Sequence, residues 1–296
     1  MPNEVVGSVS ALWRFPVKSM KGEQLEQSEV TTRGIVGDRA YALIETDTSK
    51  VVSAKSVKNF PSLFGCRATF IEAPQPDRPL PAVRIELPDG TSVASDSAEL
   101  DSTLSRHFSR DVFLARAAPK DFTIDQFHPD LGHVAHSDHP NQVVDQKLGS
   151  AFFAEAGLVS PVPDGSFFDL FPITVLTTST LKLLNQLEPQ SRFDQRRFRM
   201  NVVVDSLEEG FVENNWVGRE LRIGTDVRLK IEVPDSRCVM TTLAQDELPK
   251  DIEILKGLAR HNKIRVGKFG EYPCAGVYAT VSVPGTVRQG DSVALI

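Results

Sequence analysis

Short β-patterned runs broken by proline and glycine recur along almost the whole chain, and this punctuation constrains the fold most. Residues 6–15 are rich in β-formers and stop at Pro16. Val83, Ile85 and Leu87 alternate with polar neighbours until Pro88-Asp89-Gly90 turns the chain into residues 91–94, a hairpin signature. Further strands are expected at 112–117, 199–204, 220–223, 227–233, 278–283 and 292–296, with a loop or hairpin over 284–291. Helical signals are fewer. Asp96 reads as a cap with Glu99 three residues on, ahead of a Leu100, Leu104, Phe108 stripe. Thr177 to Ser179 precede a second helix carrying Leu181, Leu184 and Leu187, stopped by Glu188-Pro189, and residues 251–260 suit a third. Many short strands with glycine-rich turns predict a mostly β chain with some α, built as barrels rather than a parallel sheet.

A length of 296 residues fits two domains. Residues 1–120 read as one β-rich domain with a helix, and residues 166–296 as a second. Between them, residues 121–165 read as a connecting segment, with a short helix near 144–156. The stretch from Pro119 to Gly165 holds four of the six histidines, many Asp and Pro residues, and few strand signals. Stretches of this kind are often lids or linkers. His133, His136 and His139, with Asp138 beside them, have the residue types for zinc. Gly132 and Pro140 argue against one helical face, so the cluster reads as a loop without metal.

Thirty-three Lys and Arg against 39 Asp and Glu leave a formal charge of −6, which argues against a nucleic-acid or anionic-membrane binder. Three cysteines are too few for a disulfide framework, and the odd count leaves a free thiol, pointing to a reduced, cytoplasmic compartment. The N-terminus has Glu4 and no basic region before its apolar stretch, a poor targeting signal. The greasiest run, 167–176, contains Asp169 and Pro172 and falls far short of the ~20 residues of a membrane span. Glycine-rich nucleotide loops, paired CxxC motifs, HExxH and GxSxG are all missing.

Two sets of residues remain as candidates for chemistry. Cys238 follows a strand and Pro234, next to Arg237. A cation beside a cysteine favours thiolate, the form that ligates soft metals. The bland alternative is a small buried hydrophobe, which also describes Cys66 and Cys274. The second set pairs cations with small polar residues: Lys18-Ser19, Arg39 after Gly37-Asp38, Lys55 after Ser53, and Arg197 and Arg199 before Asn201. Such cations suit an anion, since Arg forks onto phosphate and Lys supplies a point charge. Thr177, Thr178 and Ser179 at a helix start offer hydroxyls and free N–H groups for the same purpose. Taken singly, each is equally a solvated surface residue.

Taken in order, these segments resemble the MOSC proteins that carry an N-terminal MOSC β-barrel domain, and among them the amidoxime reducing components and their bacterial counterparts. The resemblance rests on Arg14-Phe15-Pro16-Val17-Lys18-Ser19, Arg33-Gly34-Ile35-Val36-Gly37-Asp38-Arg39, and Pro172-Ile173-Thr174-Val175-Leu176-Thr177-Thr178-Ser179-Thr180-Leu181. It continues through Arg197-Phe198-Arg199-Met200-Asn201-Val202, Ser236-Arg237-Cys238-Val239-Met240-Thr241-Thr242 and Phe269-Gly270-Glu271-Tyr272. It implies an α+β chain in which an N-terminal MOSC-type β-barrel domain precedes a MOSC β-barrel domain.

The resemblance also implies a molybdenum cofactor between the two. Cys238 matches the metal-ligating cysteine, and Lys18, Ser19 and Arg39 match positions around the pterin phosphate. Arg199, Asn201, Thr178, Ser179 and Thr180 match second-domain contacts. Lys55 stands where relatives often carry a basic residue, and Asp169 is a candidate for positioning protons. The implied activity is reduction of small N-hydroxylated compounds. The sequence has no four-cysteine iron–sulfur domain after residue 296 and no flavin or haem feature, so electrons would come from separate partner proteins. A cofactor carrier or insertion role, and sulfur transfer through a Cys238 persulfide, are the alternatives; there is no fused pyridoxal-phosphate domain to supply that sulfur. One departure stands out: Met200 occupies a position where the family often has proline.

Overall fold

The computed structural model describes residues 4–135 and 138–296. Its centre is a closed barrel. Ile173–Thr177, Val202–Ser206, Glu4–Arg14, Ser292–Leu295, Glu220–Ile223, Val227–Ser236 and Glu271–Val283 are hydrogen-bonded in that order, and the last pairs back onto the first. All these pairings are antiparallel except Ile173–Thr177 with Val202–Ser206, which is parallel. Closure pairs every strand of the barrel on both sides among the described residues. Period-two patterning fills the interior: Leu229 and Ile231 are buried while Arg228 and Lys230 face out. Val9, Leu12, Val175, Leu221 and Val277 join them in one core.

The first strand of the chain, Glu4–Arg14, lies between Val202–Ser206 and Ser292–Leu295. The barrel is therefore completed from the N-terminal end of the sequence. After Arg14 the chain leaves the barrel for a second core of Val17, Met20, Tyr41, Leu43, Phe64, Ile85 and Leu104. Around it stand the expected hairpin, Val83–Glu86 with Ser92–Ala94, extended by Arg67–Phe70, and the pair Ala42–Glu45 with Val112–Ala115. Gly285–Arg288, expected as a loop or hairpin, is a strand that pairs with Gln27–Thr31, and Val30 and Val287 of this pair pack into the barrel core.

Leu100, Leu104 and Phe108 are buried as their spacing predicts, but the helix spans Leu100–Phe108 with Glu99 at the N-cap. Asp96 lies one turn too early to cap it. The Ser97 hydroxyl instead accepts from the Glu99 N–H. The stretch expected to be a structureless connection contains a hairpin, Thr123–His128 with Gln142–Lys147, and a helix, Ser150–Glu155. Phe122, Ile124 and Leu148 bury against Ile44, Val51 and Phe167, which anchors it. The Phe127 N–H donates to the Lys55 carbonyl at 2.9 Å, so the segment forms a wall beside Lys55. His136 lies outside the described residues. His133 sits in the Gly132–Val134 turn, and the rings of His128 and His139 are 6.3 Å apart. No helix of the described residues is long and apolar enough to cross a membrane.

The Thr178–Leu187 helix starts over a buried carboxylate. Thr177 caps it by accepting from the Thr180 N–H. The Thr177 and Thr180 hydroxyls both donate to Glu213, at 2.7 Å each, and Glu213 is fully buried without an ion-pair partner among the described residues. Burial pushes its carboxyl above the ordinary value, with the hydroxyls opposing. A raised folded pKa means that ionised Glu213 costs stability at neutral pH and that the cost is relieved as pH falls through the folded value. Glu213→Gln is therefore expected to match or exceed wild type in urea unfolding at pH 8, with the advantage shrinking towards pH 5. Glu213→Ala strands both hydroxyls and is expected to lose about 1–3 kcal/mol.

Candidate active site

The barrel delivers its N-terminal strand directly into the site. Arg14 ends that strand, and Phe15-Pro16-Val17-Lys18-Ser19 follow at the barrel rim. The Lys18 ammonium donates to the Phe167 carbonyl at 2.9 Å and pairs with Asp169. Lys55 pairs with the other oxygen of the same carboxylate at 2.8 Å. Both lysines are buried. Burial pushes the Lys18 ammonium below its usual value despite Asp169. Burial also opposes charge on Lys55, but Asp169 and Cys238 outweigh it and raise that pKa. Asp169 is held far below the carboxylate range: burial works against its charge, and the two lysines overcome it.

A second carboxylate organises the arginines. Asp38 is buried and accepts from the Phe15 N–H at 2.6 Å, from Arg39, and from the Asn201 amide at 2.9 Å. Arg39 donates to the Arg199 carbonyl at 3.0 Å, and Arg199 donates to the Met20 carbonyl at 2.6 Å. Both guanidiniums lie over the Phe15 ring, 4.4 and 4.3 Å from its centroid. Burial, with Arg39 beside it, pushes Arg199 down to about 9. Ser19, Arg39 and Arg199 all have positive φ, at 66°, 46° and 55°. Such backbone is uncommon outside glycine and gathers at sites where geometry is held against its preference.

Cys238 is half-buried and unpaired, at the turn after Val227–Ser236. Arg237 beside it is tied to Asp235 and donates to the Phe198 carbonyl. Two atoms here are buried without a partner, Arg237 Nε and Asp235 Oδ1. Burial pushes the Asp235 carboxyl up to about 6, against Arg237. The Tyr278 phenol faces Asp235, and burial with that carboxyl raises it well above 10. Met200 fills the space before Gly276, whose φ of +82° and absent Cβ admit it, and its sulfur lies 4.0 Å from Arg237.

The structure thus brings together Lys18, Ser19, Arg39, Lys55, Asp169, Arg199, Asn201 and Cys238. Asn201 has a bracing position: it accepts from the Thr174 N–H and hydroxyl and donates to Asp38 and the Trp13 carbonyl. The hydroxyls of Thr178, Ser179 and Thr180 are engaged elsewhere, with Asp205, the Gly210 carbonyl and Glu213. Arg197, fully buried, donates to the carbonyls of Arg192, Thr241, Leu243 and Pro249. The sequence reading missed Asp38, Asp235 and Tyr278. Asp38 and Asp235 had a signal, since each sits within three residues of a candidate; Tyr278 had none.

Five cations, Lys18, Arg39, Lys55, Arg199 and Arg237, stand within electrostatic reach of three carboxylates, Asp38, Asp169 and Asp235. Two positive charges are left over beside a half-buried thiol. The arrangement, at the junction of a closed barrel and a second β-rich unit, has the chemistry to suit an anion beside a soft ligand.

The chain belongs to the MOSC family: the MOSC N-terminal beta barrel domain matches residues 6–110 and the MOSC domain matches residues 164–294. Among characterised proteins, it is similar to mitochondrial amidoxime-reducing component 1 of Homo sapiens, 25% identical over 305 residues, covering 98% of this chain and 83% of that one. Mitochondrial amidoxime reducing component 2 of Rattus norvegicus is 24% identical over 300 residues, with 97% and 83% covered. Among solved structures, the YUAD protein from Bacillus subtilis aligns with a TM-score of 0.44 at 12% identity, over 98% of this chain and 94% of that one.

Removing Asp169 strands two buried ammonium groups. Asp169→Asn is expected to cost about 3 kcal/mol in urea unfolding at pH 7. Because the folded pKa of Asp169 is depressed, its contribution is present above the unfolded carboxylate range and is lost only as pH falls through the folded value. The gap between wild type and variant should therefore not close from pH 8 to pH 5, and a gap that closes over that range would contradict the assignment.

Proposed function

We propose that this chain is a molybdenum-cofactor-dependent reductase of small N-oxygenated compounds, supplied with electrons by separate proteins. One observation carries the reading: a half-buried free thiol, Cys238, beside a surplus of positive charge with an orphaned guanidinium nitrogen on Arg237. A phosphorylated pterin that brings molybdenum fits both demands, an anion for the cations and a soft metal for the thiolate. The names of the similar proteins, amidoxime reducing components, support the reductase part of the reading. Three free cysteines suit a compartment that keeps thiols reduced, which favours the cytoplasm.

Each residue has a distinct task. Cys238 would ligate the metal. Lys18, Lys55, Arg39 and Arg199 would hold the phosphate and pterin, with Asp38 and Asn201 fixing the arginines in their strained backbone. When bound, the cofactor supplies the two-electron redox chemistry. Asp169 stays ionised between its lysines, so its task is to hold the cation pair rather than to pass a proton.

The test is metal and pterin analysis of protein made in a host that synthesises the cofactor. Wild type is expected to carry molybdenum and pterin, and Cys238→Ala to lose the metal. Arg39→Ala and Arg199→Ala are each expected to lower cofactor occupancy about tenfold while shifting stability less, as loss of a charged hydrogen bond to phosphate implies. With a small chemical reductant, loaded wild type should convert an amidoxime to the amidine. A control protein that loads while wild type does not would sink the proposal. Loading without turnover would point to a carrier, and a trapped Cys238 persulfide to sulfur transfer.

A further inference from the structure

An aromatic file runs from the Cys238 site to the surface. Tyr278, which faces Asp235, stacks on Phe171 at 5.1 Å between ring centroids. Phe171 meets Phe153 at 5.8 Å, Phe153 meets Phe152 at 5.3 Å, and Phe152 meets Phe269 at 5.3 Å. Phe153 also packs with Val162 and Phe168, so this is filled protein rather than an open channel.

The outer end of the file is an exposed apolar patch. Phe269 and Tyr272 are 37% and 41% exposed, Leu158 is 42% exposed, and neighbouring Val159 is 95% exposed. These residues are contiguous: the Tyr272 hydroxyl donates to the Phe269 carbonyl, and the Lys268 ammonium donates to the Ala156 carbonyl. Contiguous exposed apolar surface with a polar rim marks interaction sites. The rim carries more basic than acidic side chains, with exposed Glu271 paired to Lys263. Lys263, Arg265 and Lys268 are exposed, and neither Arg265 nor Lys268 has a carboxylate partner among the described residues. On a chain of net charge −6, a local basic rim around aromatics selects an acidic partner.

We propose that this patch is the docking face for an acidic one-electron carrier protein, and that the packed file from Phe269 to Tyr278 is the route joining it to the Cys238 site. The inference rests on the reductase reading. Two encounters, each oxidising one carrier by one electron, supply the two electrons that break the N–O bond. With two protons they convert R–NH–OH to R–NH2 and water. A small aromatic patch with a charged rim suits such a brief complex, since redox encounters have small interfaces, and rim charges act mainly on association rate.

An acidic plant-type [2Fe–2S] ferredoxin serves as probe. It is expected to bind the cofactor-free chain at low salt, and the binding should weaken steeply as salt rises. Combined Lys263→Glu, Arg265→Glu and Lys268→Glu should slow association about tenfold or more and flatten the salt dependence. Phe269→Ala should weaken binding with that dependence kept. Arg228→Glu, at the other end of the Glu271–Val283 strand, should change neither. In loaded protein, reduced ferredoxin should drive the rim variant more slowly than wild type, while a small chemical reductant drives both alike. Ferredoxin that fails to bind, or that binds the rim variant as well as wild type, overturns the docking face. Self-association lost in Phe269→Ala also overturns it and assigns the patch to a second copy. Failure of turnover with the small reductant would count against the reductase reading, leaving the binding results to judge the docking face.

Discussion

The site depends on the way the barrel closes. Glu4–Arg14 is hydrogen-bonded on both sides, to Val202–Ser206 and to Ser292–Leu295, so its end is fixed by strands from the far half of the sequence. The next five residues carry Phe15, Lys18 and Ser19. Without that strand the barrel is open and the cation cluster loses its frame. Asp38 then couples the two regions by holding the Phe15 N–H, Arg39 and Asn201 together. A carboxylate with three donors and no exposure resists relocation, since moving it would leave several buried groups unpaired.

Charge is unevenly balanced at this junction. The five cations outnumber the three carboxylates, and Lys55 and Arg237 lie within electrostatic reach of Cys238. Asp169 serves two lysines, and Asp235 serves Arg237 while leaving one oxygen unpartnered. Burying unmatched charge is costly. A fold keeps such an arrangement where an anion restores the balance, and the positive φ at Ser19, Arg39 and Arg199 is a further cost borne at the same place.

Much of this was legible in the sequence, for physical reasons that differ by residue. Two barrel strands announced themselves by alternation: Glu220–Ile223 appears where expected, and Val227–Ser236 only extends the expected run, whereas Ile173–Thr177, buried at every position, was not among the expected strands. The hairpin of Thr123–His128 with Gln142–Lys147 did not, because only Ile124 in it is fully buried and its other residues give no alternating stripe. Cysteine and cations mark chemistry by their type, so Cys238, Lys18, Arg39, Lys55 and Arg199 could be named in advance. Asp38 and Asp235 were not named although each pairs with a cation one or two residues on, and Tyr278 left no signal because it faces Asp235 from another strand. Hydroxyls mislead as well. Thr177, Ser179 and Thr180 have the composition of a phosphate site, yet each is already engaged with Glu213, the Gly210 carbonyl or another hydroxyl.

Met200 sits between two residues that are each held by partners of their own. A proline there would fix φ and withhold a side chain long enough to reach Gly276. Methionine instead fills the gap before that glycine and sets its sulfur beside Arg237. Arg199 keeps its left-handed backbone and its grip on the Met20 carbonyl, and Asn201 keeps Asp38. The residues on either side are therefore held by their own partners rather than by the residue between them. The Met200 thioether lines the wall around Arg237 with a soft, polarisable group.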